Sequence, residues 1–259
     1  MLEARNIHAR IGKKEILHGI DFTAKAGQIT AIVGPNGSGK STLLKAITDE
    51  VDSTGTVWLN GQDTASMKPW ELAALRGVLP QATTLAFPFT VVEVVRMGLM
   101  CGTSGAREDI PARALAAVGL EGYSGRFYQE LSGGEQQRAQ LARVLCQVWQ
   151  PMLDDTPRWL LLDEPVASLD IGHQLLVMQL IKDYAARGGG VVAVMHDLNL
   201  SAMFADQLAI IMAGKLLLSG SPDVVMQDDV LSKAYGCALK VNTPAASGQS
   251  YILPHPAII

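Results

Sequence analysis

Apolar and polar positions alternate over Leu2–Ile11 and again over residues 16–24, the pattern of two half-buried strands, with Gly12-Lys13-Lys14 as the turn between them. The runs at residues 28–33, 159–162 and 191–195 are different: short and almost continuously apolar, as in strands covered on both faces. Shorter strands fit residues 55–60 and 77–80, and residues 208–212 and 215–218 read as a hairpin about Ala213-Gly214. Helical spacing marks residues 42–47, a segment opened by Pro69, residues 110–118, the stretch from Ser132 through Leu145, and residues 172–186. A further helix runs through Leu198, Leu200 and Met203 behind Asp197 as its cap, and residues 222–235 read as two short helices. Residues 91–97 are rich in valine, which suits a strand. Apolar groups recurring at helical spacing through Met97 and Met100, behind Thr90 as a cap, decide for helix. Residues 102–105 then form a loop, and the tail from residue 242 carries prolines and no periodicity.

The chemistry gathers where apolar runs stop. Residues 29–33 lead into Gly34-Pro35-Asn36-Gly37-Ser38-Gly39-Lys40-Ser41 and then Thr42, which is the phosphate-loop pattern between a strand and a helix. Its glycines let backbone N–H groups and the helix start close on an anion. Lys40 reaches phosphate oxygens and Ser41 ligates Mg²⁺. The strand at 159–162 delivers Asp163 and Glu164 to a sheet edge, Asp163 as a carboxylate for Mg²⁺ and Glu164 to polarise an attacking water. His196 ends the strand at 191–195 on that same edge, where it donates to phosphate or orients the water. A second anion-seeking helix start lies at Ser132-Gly133-Gly134-Glu135, where Ser132 and Glu135 have capping-box spacing. The fold expected is α/β: a phosphate-loop (RecA-like) nucleotide-binding core with an antiparallel β edge, residues 1–81 and 150–240. A helical subdomain, 82–149, is inserted in it, and 241–259 is an irregular tail of the one domain spanning 1–259.

Composition narrows the partners. With 259 residues, 48% of them hydrophobic, the chain can bury a large core, and a net charge of −4 offers no basic footprint for nucleic acid. The first residues do not read as a signal peptide, and no apolar run reaches the roughly 18 to 20 residues of a membrane span. Cys101, Cys146 and Cys237 are odd in number and scattered, which suits reduced thiols inside a cell.

Taken in order, the phosphate loop, Gln81, Leu131-Ser132-Gly133-Gly134-Glu135, Leu162-Asp163-Glu164-Pro165, Ser168-Leu169-Asp170 and His196 resemble the ATP-binding subunit of an ABC transporter, over roughly residues 2–240. The resemblance implies ATP and Mg²⁺ as cofactors and a head-to-tail homodimer, with ATP held between one subunit's phosphate loop and the other's Ser132–Glu135. It also implies that Gln81 senses phosphate and Mg²⁺, that Asp170 couples the two sites and that Glu164 is the catalytic base. By the same resemblance the 82–100 region receives two membrane-spanning permease subunits, a periplasmic binding protein acts indirectly, and the chain sits on the cytoplasmic face of the bacterial inner membrane. Two positions depart from the family's pattern. Ile11 stands where an aromatic residue usually stacks on adenine, and Val166-Ala167 follow Glu164-Pro165. Phe89 to Gly98 resembles ATPases of importers for iron chelates, haem and cobalamin, and an extra polar loop over residues 151–157 resembles the haemin importers among them. A ferric-siderophore or cobalamin importer, and more remotely a non-transport ABC ATPase, are the alternative readings.

Overall fold

The computed structural model describes residues 1–83, 85, 87–101, 107–243, 250 and 252–254. The loop expected at 102–105 and most of the tail lie outside the described residues. The chain runs β1 (Leu2–Ile11), β2 (Lys14–Ala24), β3 (Ile29–Val33), α1 (Lys40–Thr48), β4 (Ser53–Leu59), β5 (Gln62–Asp63), α2 (Pro69–Leu75) and β6 (Arg76–Leu79). Helices α3 (Val91–Cys101), α4 (Ile110–Ala117) and α5 (Gly133–Gln147) follow, then a small hairpin of β7 (Met152–Leu153) and β8 (Thr156–Pro157). The remainder is β9 (Trp159–Asp163), α6 (Ile171–Ala186), β10 (Gly190–Val194), α7 (Leu198–Phe204), β11 (Gln207–Met212), β12 (Lys215–Gly220), α8 (Pro222–Val225) and α9 (Asp228–Tyr235).

Six strands form the central sheet in the order β12-β11-β3-β10-β9-β6, parallel except where β12 joins β11. Each residue of β3, β9 and β10 is buried, which is why these segments read as unbroken apolar runs rather than alternations. Their period of two still sorts the side chains. Ile29, Ala31, Val33, Leu160, Leu162, Val191 and Ala193 join the core on one face. Ile32, Trp159, Leu161, Val192 and Val194 join the other, with α1, β1 and β2. The antiparallel β edge expected of the core is present: β1 and β2 form a separate sheet, β2-β1-β4-β5, and β12 pairs antiparallel with β11 at the edge of the central sheet. Alternation predicts a half-buried strand but does not say which neighbour covers its apolar side; here α1 does, through Leu43, Leu44, Ala46 and Ile47.

The valine-rich stretch after Thr90 is helical, and its buried residues Val91, Val94, Val95 and Gly98 fall on one helix face. Glu93 caps this helix from within, accepting from both the backbone N–H and the hydroxyl of Thr90. The polar loop expected at 151–157 is a β-hairpin whose turn residues, Asp154 and Asp155, both have positive φ, the two-residue turn that suits strand twist.

Candidate active site

Every strand that feeds the site ends on one edge of the central sheet. Leu79 pairs with Leu162, Asp163 with Val194 and Val194 with Ile32, so the residues just beyond β6, β9, β10 and β3 emerge side by side. Gly34 takes φ +145°, and a Cβ there would lie 2.1 Å from the Ile211 carbonyl. Gly39, the cap of α1, takes φ +107° with Leu17 against it. Only glycine lets the loop turn this tightly and point its N–H groups inward. Lys40 is 5% exposed and its ammonium donates to the carbonyls of Gly34 and Pro35 at 2.9 and 3.0 Å. Burial pushes its pKa down, while Glu164 and Asp163 pull it back up.

Opposite the loop, the Ser41 hydroxyl donates to Asp163 at 2.9 Å. The second carboxylate oxygen of Asp163 is buried without a hydrogen-bond partner among the described residues. Burial holds the Asp163 carboxyl above the usual range, with the Ser41 bond working against this and Glu164 reinforcing it. A half-satisfied buried carboxylate beside a serine hydroxyl suits a hard cation that takes oxygen ligands, so these residues fit Mg²⁺. Glu164 is next in the chain and stands at φ +55°, an unusual setting for a residue with a side chain. Its carboxylate accepts from Gln81 at 3.0 Å and meets His196 at 2.5 Å. Asn36, Gly37, Gly39, Lys40, Ser41, Thr42, Gln81, Glu164 and His196 all line one open cleft of 710 Å³, with Ile11 and Ile16. Its acid, imidazole and amide converge opposite a phosphate cradle, the arrangement for hydrolysing a nucleotide phosphate.

The second anion-seeking helix start is separate. Ser132 and Glu135 form the reciprocal capping box that their spacing predicts, with Ser132 accepting from the Glu135 N–H and Glu135 accepting from the Ser132 N–H at 2.8 Å. Ser132, Gly133, Gly134, Glu135, Ser168 and Asp170 line a 510 Å³ hollow that shares no residue with the first cleft. Asp170 caps α6 by accepting from the His173 N–H at 2.9 Å, a bond that holds its carboxyl below the usual range. One subunit therefore does not bring its own Ser132–Glu135 to its own phosphate loop.

The family model described as ABC transporter matches residues 17–167. The chain belongs to the ABC transporter family. This ABC ATPase is 61% identical, over 99% of its length and 95% of theirs, to the hemin import ATP-binding protein of Jannaschia sp. strain CCS1. The protein of the same name from Roseobacter denitrificans is also 61% identical, over 99% of this chain and 98% of the other, and that of Mesorhizobium japonicum is 55% identical over the whole of both. Among solved structures, the dimeric structure of a bacterial ABC transporter cassette superposes with a TM-score of 0.73 at 27% identity, covering 86% of this chain and 99% of that one. The ADP form of another ABC transporter cassette, at 24% identity and a TM-score of 0.72 over 90% and 97% of the two chains, agrees in fold.

Sequence reasoning missed two residues of the ABC ATPase site. Ile16 joins Ile11 on the apolar lip of the cleft, so an aliphatic pair borders the phosphate loop. Gln137 binds the backbone of Glu164 and of Ser168. It lies one helical turn beyond Gly134, on the face that packs against Ser168 and Leu169, a placement that the sequence does not mark.

Proposed function

We propose that this chain is the ATP-hydrolysing subunit of a haem importer, acting as a head-to-tail homodimer on the cytoplasmic face of the inner membrane. The observation that carries the cargo is identity of 51–61% over essentially the full chain to relatives that all bear the hemin-import name. The two separate anion-seeking hollows support the dimer, since each is half of a site that a second copy completes. Two permease subunits dock at the 82–100 region, where Phe87 and Met100 are exposed, and a periplasmic binding protein supplies them.

Within that reading the phosphate loop and Lys40 hold the ATP phosphates, and Ile11 and Ile16 cover the base. Ser41, Asp163 and Gln81 hold Mg²⁺, which when bound neutralises charge on the phosphates. Glu164 takes a proton from water at its carboxylate, His196 and Gln81 fix that carboxylate's direction, and His196 can donate to phosphate. The helical segment 82–149 carries Ser132–Glu135 to the partner's nucleotide, and Asp170 links the two sites. Closing the dimer pulls on the permeases and hydrolysis releases it. A strain lacking this chain, grown with haem, a ferric siderophore or inorganic iron as sole iron source and also under a cobalamin-dependent condition, tests the cargo. Failure on haem alone is expected; growth on haem with failure on another nutrient removes the haem assignment and leaves the ATPase.

A further inference from the structure

We infer that Gln137 is a positioning residue for hydrolysis, an amide clamp on α5 that sets where the Glu164 carboxylate points. This rests on the reading of Glu164 as the base. Glu164 follows β9 with φ +55°, a backbone state that L residues rarely adopt, so the surrounding contacts must hold it there. Its N–H is held by the Val194 carbonyl at 3.1 Å. Its carbonyl accepts from Gln137 Nε2 at 2.5 Å and from the Ala167 N–H at 3.3 Å. The other end of the same amide, Gln137 Oε1, accepts from the Ser168 N–H at 3.3 Å. One side chain thus spans the turn from Glu164 to Ser168, gripping a carbonyl at its start and an N–H at its end.

The amide is well anchored. Its neighbours on α5 fix the helix on either side: Gln136 donates to the carbonyls of Tyr128 and Leu131, and Arg138 to those of Val118 and Gly119. Gly134, one turn earlier, approaches so closely that a Cβ there would lie 2.9 Å from the Ser168 carbonyl. The first turn of α5 and the turn after Glu164 are therefore in direct backbone contact. The start of α5 is also the anion-seeking helix end of the second hollow, so Gln137 ties that hollow to the base of the first cleft within one subunit. Rotating the Glu164 peptide would swing its carboxylate away from Gln81 and His196 without touching the phosphate cradle. A misaligned base lowers the chemical step and leaves ground-state binding alone.

Gln137→Glu keeps the shape and the acceptor toward Ser168 but cannot donate to the Glu164 carbonyl, and Gln137→Leu removes both bonds. The test is steady-state ATP hydrolysis by the full chain, with equilibrium binding of a fluorescent ATP analogue and thermal melting of each variant. Both variants should lose about tenfold or more in kcat, while KM and analogue affinity stay within about twofold. Gln137→Glu at wild-type kcat overturns the clamp, as does a fall in analogue affinity matching the fall in rate. Glu164→Gln run alongside separates the two readings: inactive, it leaves the base in place whatever Gln137 does. Active at the wild-type rate, it removes the base and the clamp with it.

Discussion

Asp163 carries the clearest conflict between folding and function. Its carboxyl is 2% exposed, one oxygen has no hydrogen-bond partner among the described residues, and burial raises its pKa. An acid whose pKa rises on folding costs stability while ionised. That cost is present above the raised value and vanishes as the pH falls below the unfolded one. Asp163→Asn should therefore melt at a higher temperature than the parent at pH 8, with an advantage that shrinks as the pH falls toward the unfolded carboxylate value of about 4, while hydrolysis is lost. Melts across that range check it, and an asparagine variant less stable at every pH would make the carboxylate a net stabiliser. Lys40 is set the other way, as a buried ammonium facing the cleft. Lys40→Ala should weaken ATP binding itself, seen by titration with a fluorescent analogue, where Glu164→Gln should keep binding and lose about 10²- to 10⁴-fold in turnover. These residues were legible as candidates in the sequence because a phosphate loop and a strand-terminal Asp-Glu need a particular backbone setting, which apolar runs announce. Gln137 was not, because one glutamine among several on a polar helix face has no local mark of its partner.

Among the elements, the buried strands show how tightly the site's floor is packed. A Cβ at Gly190, the first residue of β10, would sit 2.3 Å from the Trp159 ring on β9. Trp159 is fully buried and donates from its indole N–H to Asn60 at 3.0 Å, so it has no room to step aside. Gly190→Ala should cost about 1–3 kcal/mol by overpacking, read as a melting temperature lower by about 2–4 °C for each kcal/mol. The valine-rich α3 makes the opposite point about propensity. Its composition favours a strand, yet the apolar face formed by Val91, Val94, Val95 and Gly98 packs on the core, and burial of that face outweighs the small helix penalty of β-branched residues. The hairpin at 151–157 read as a loop because two-residue strands are too short to display a period.

At the scale of the whole molecule, the phosphate-loop cleft and the Ser132–Glu135 hollow share no lining residue, so in the proposed dimer each is one half of a nucleotide site, and none of the described helices is long and apolar enough to cross a membrane. ATP should therefore act as the adhesive between copies. Glu164→Gln with ATP and Mg²⁺ should sediment as a dimer, and removing ATP, or adding Ser132→Arg to fill the second hollow with bulk and charge, should return it to monomer. A Glu164→Gln chain that remains monomeric at saturating ATP would count against the head-to-tail arrangement.

By itself the sequence determined the candidate chemistry and the order of elements. The phosphate loop, the capping box at Ser132 and Glu135 and the apolar strands ending in Asp163, Glu164 and His196 are each a local pattern, written within a few consecutive residues. What only the tertiary structure decided is which distant segments meet. Gln81 and His196 reach Glu164 across 83 and 32 residues of chain, Gln137 grips it across 27, and β1 and β2 form a second sheet over α1. The physical reason is that backbone conformation and capping are governed by near neighbours, whereas strand order and side-chain contact follow from burying all the apolar faces at once, a condition set by the whole chain.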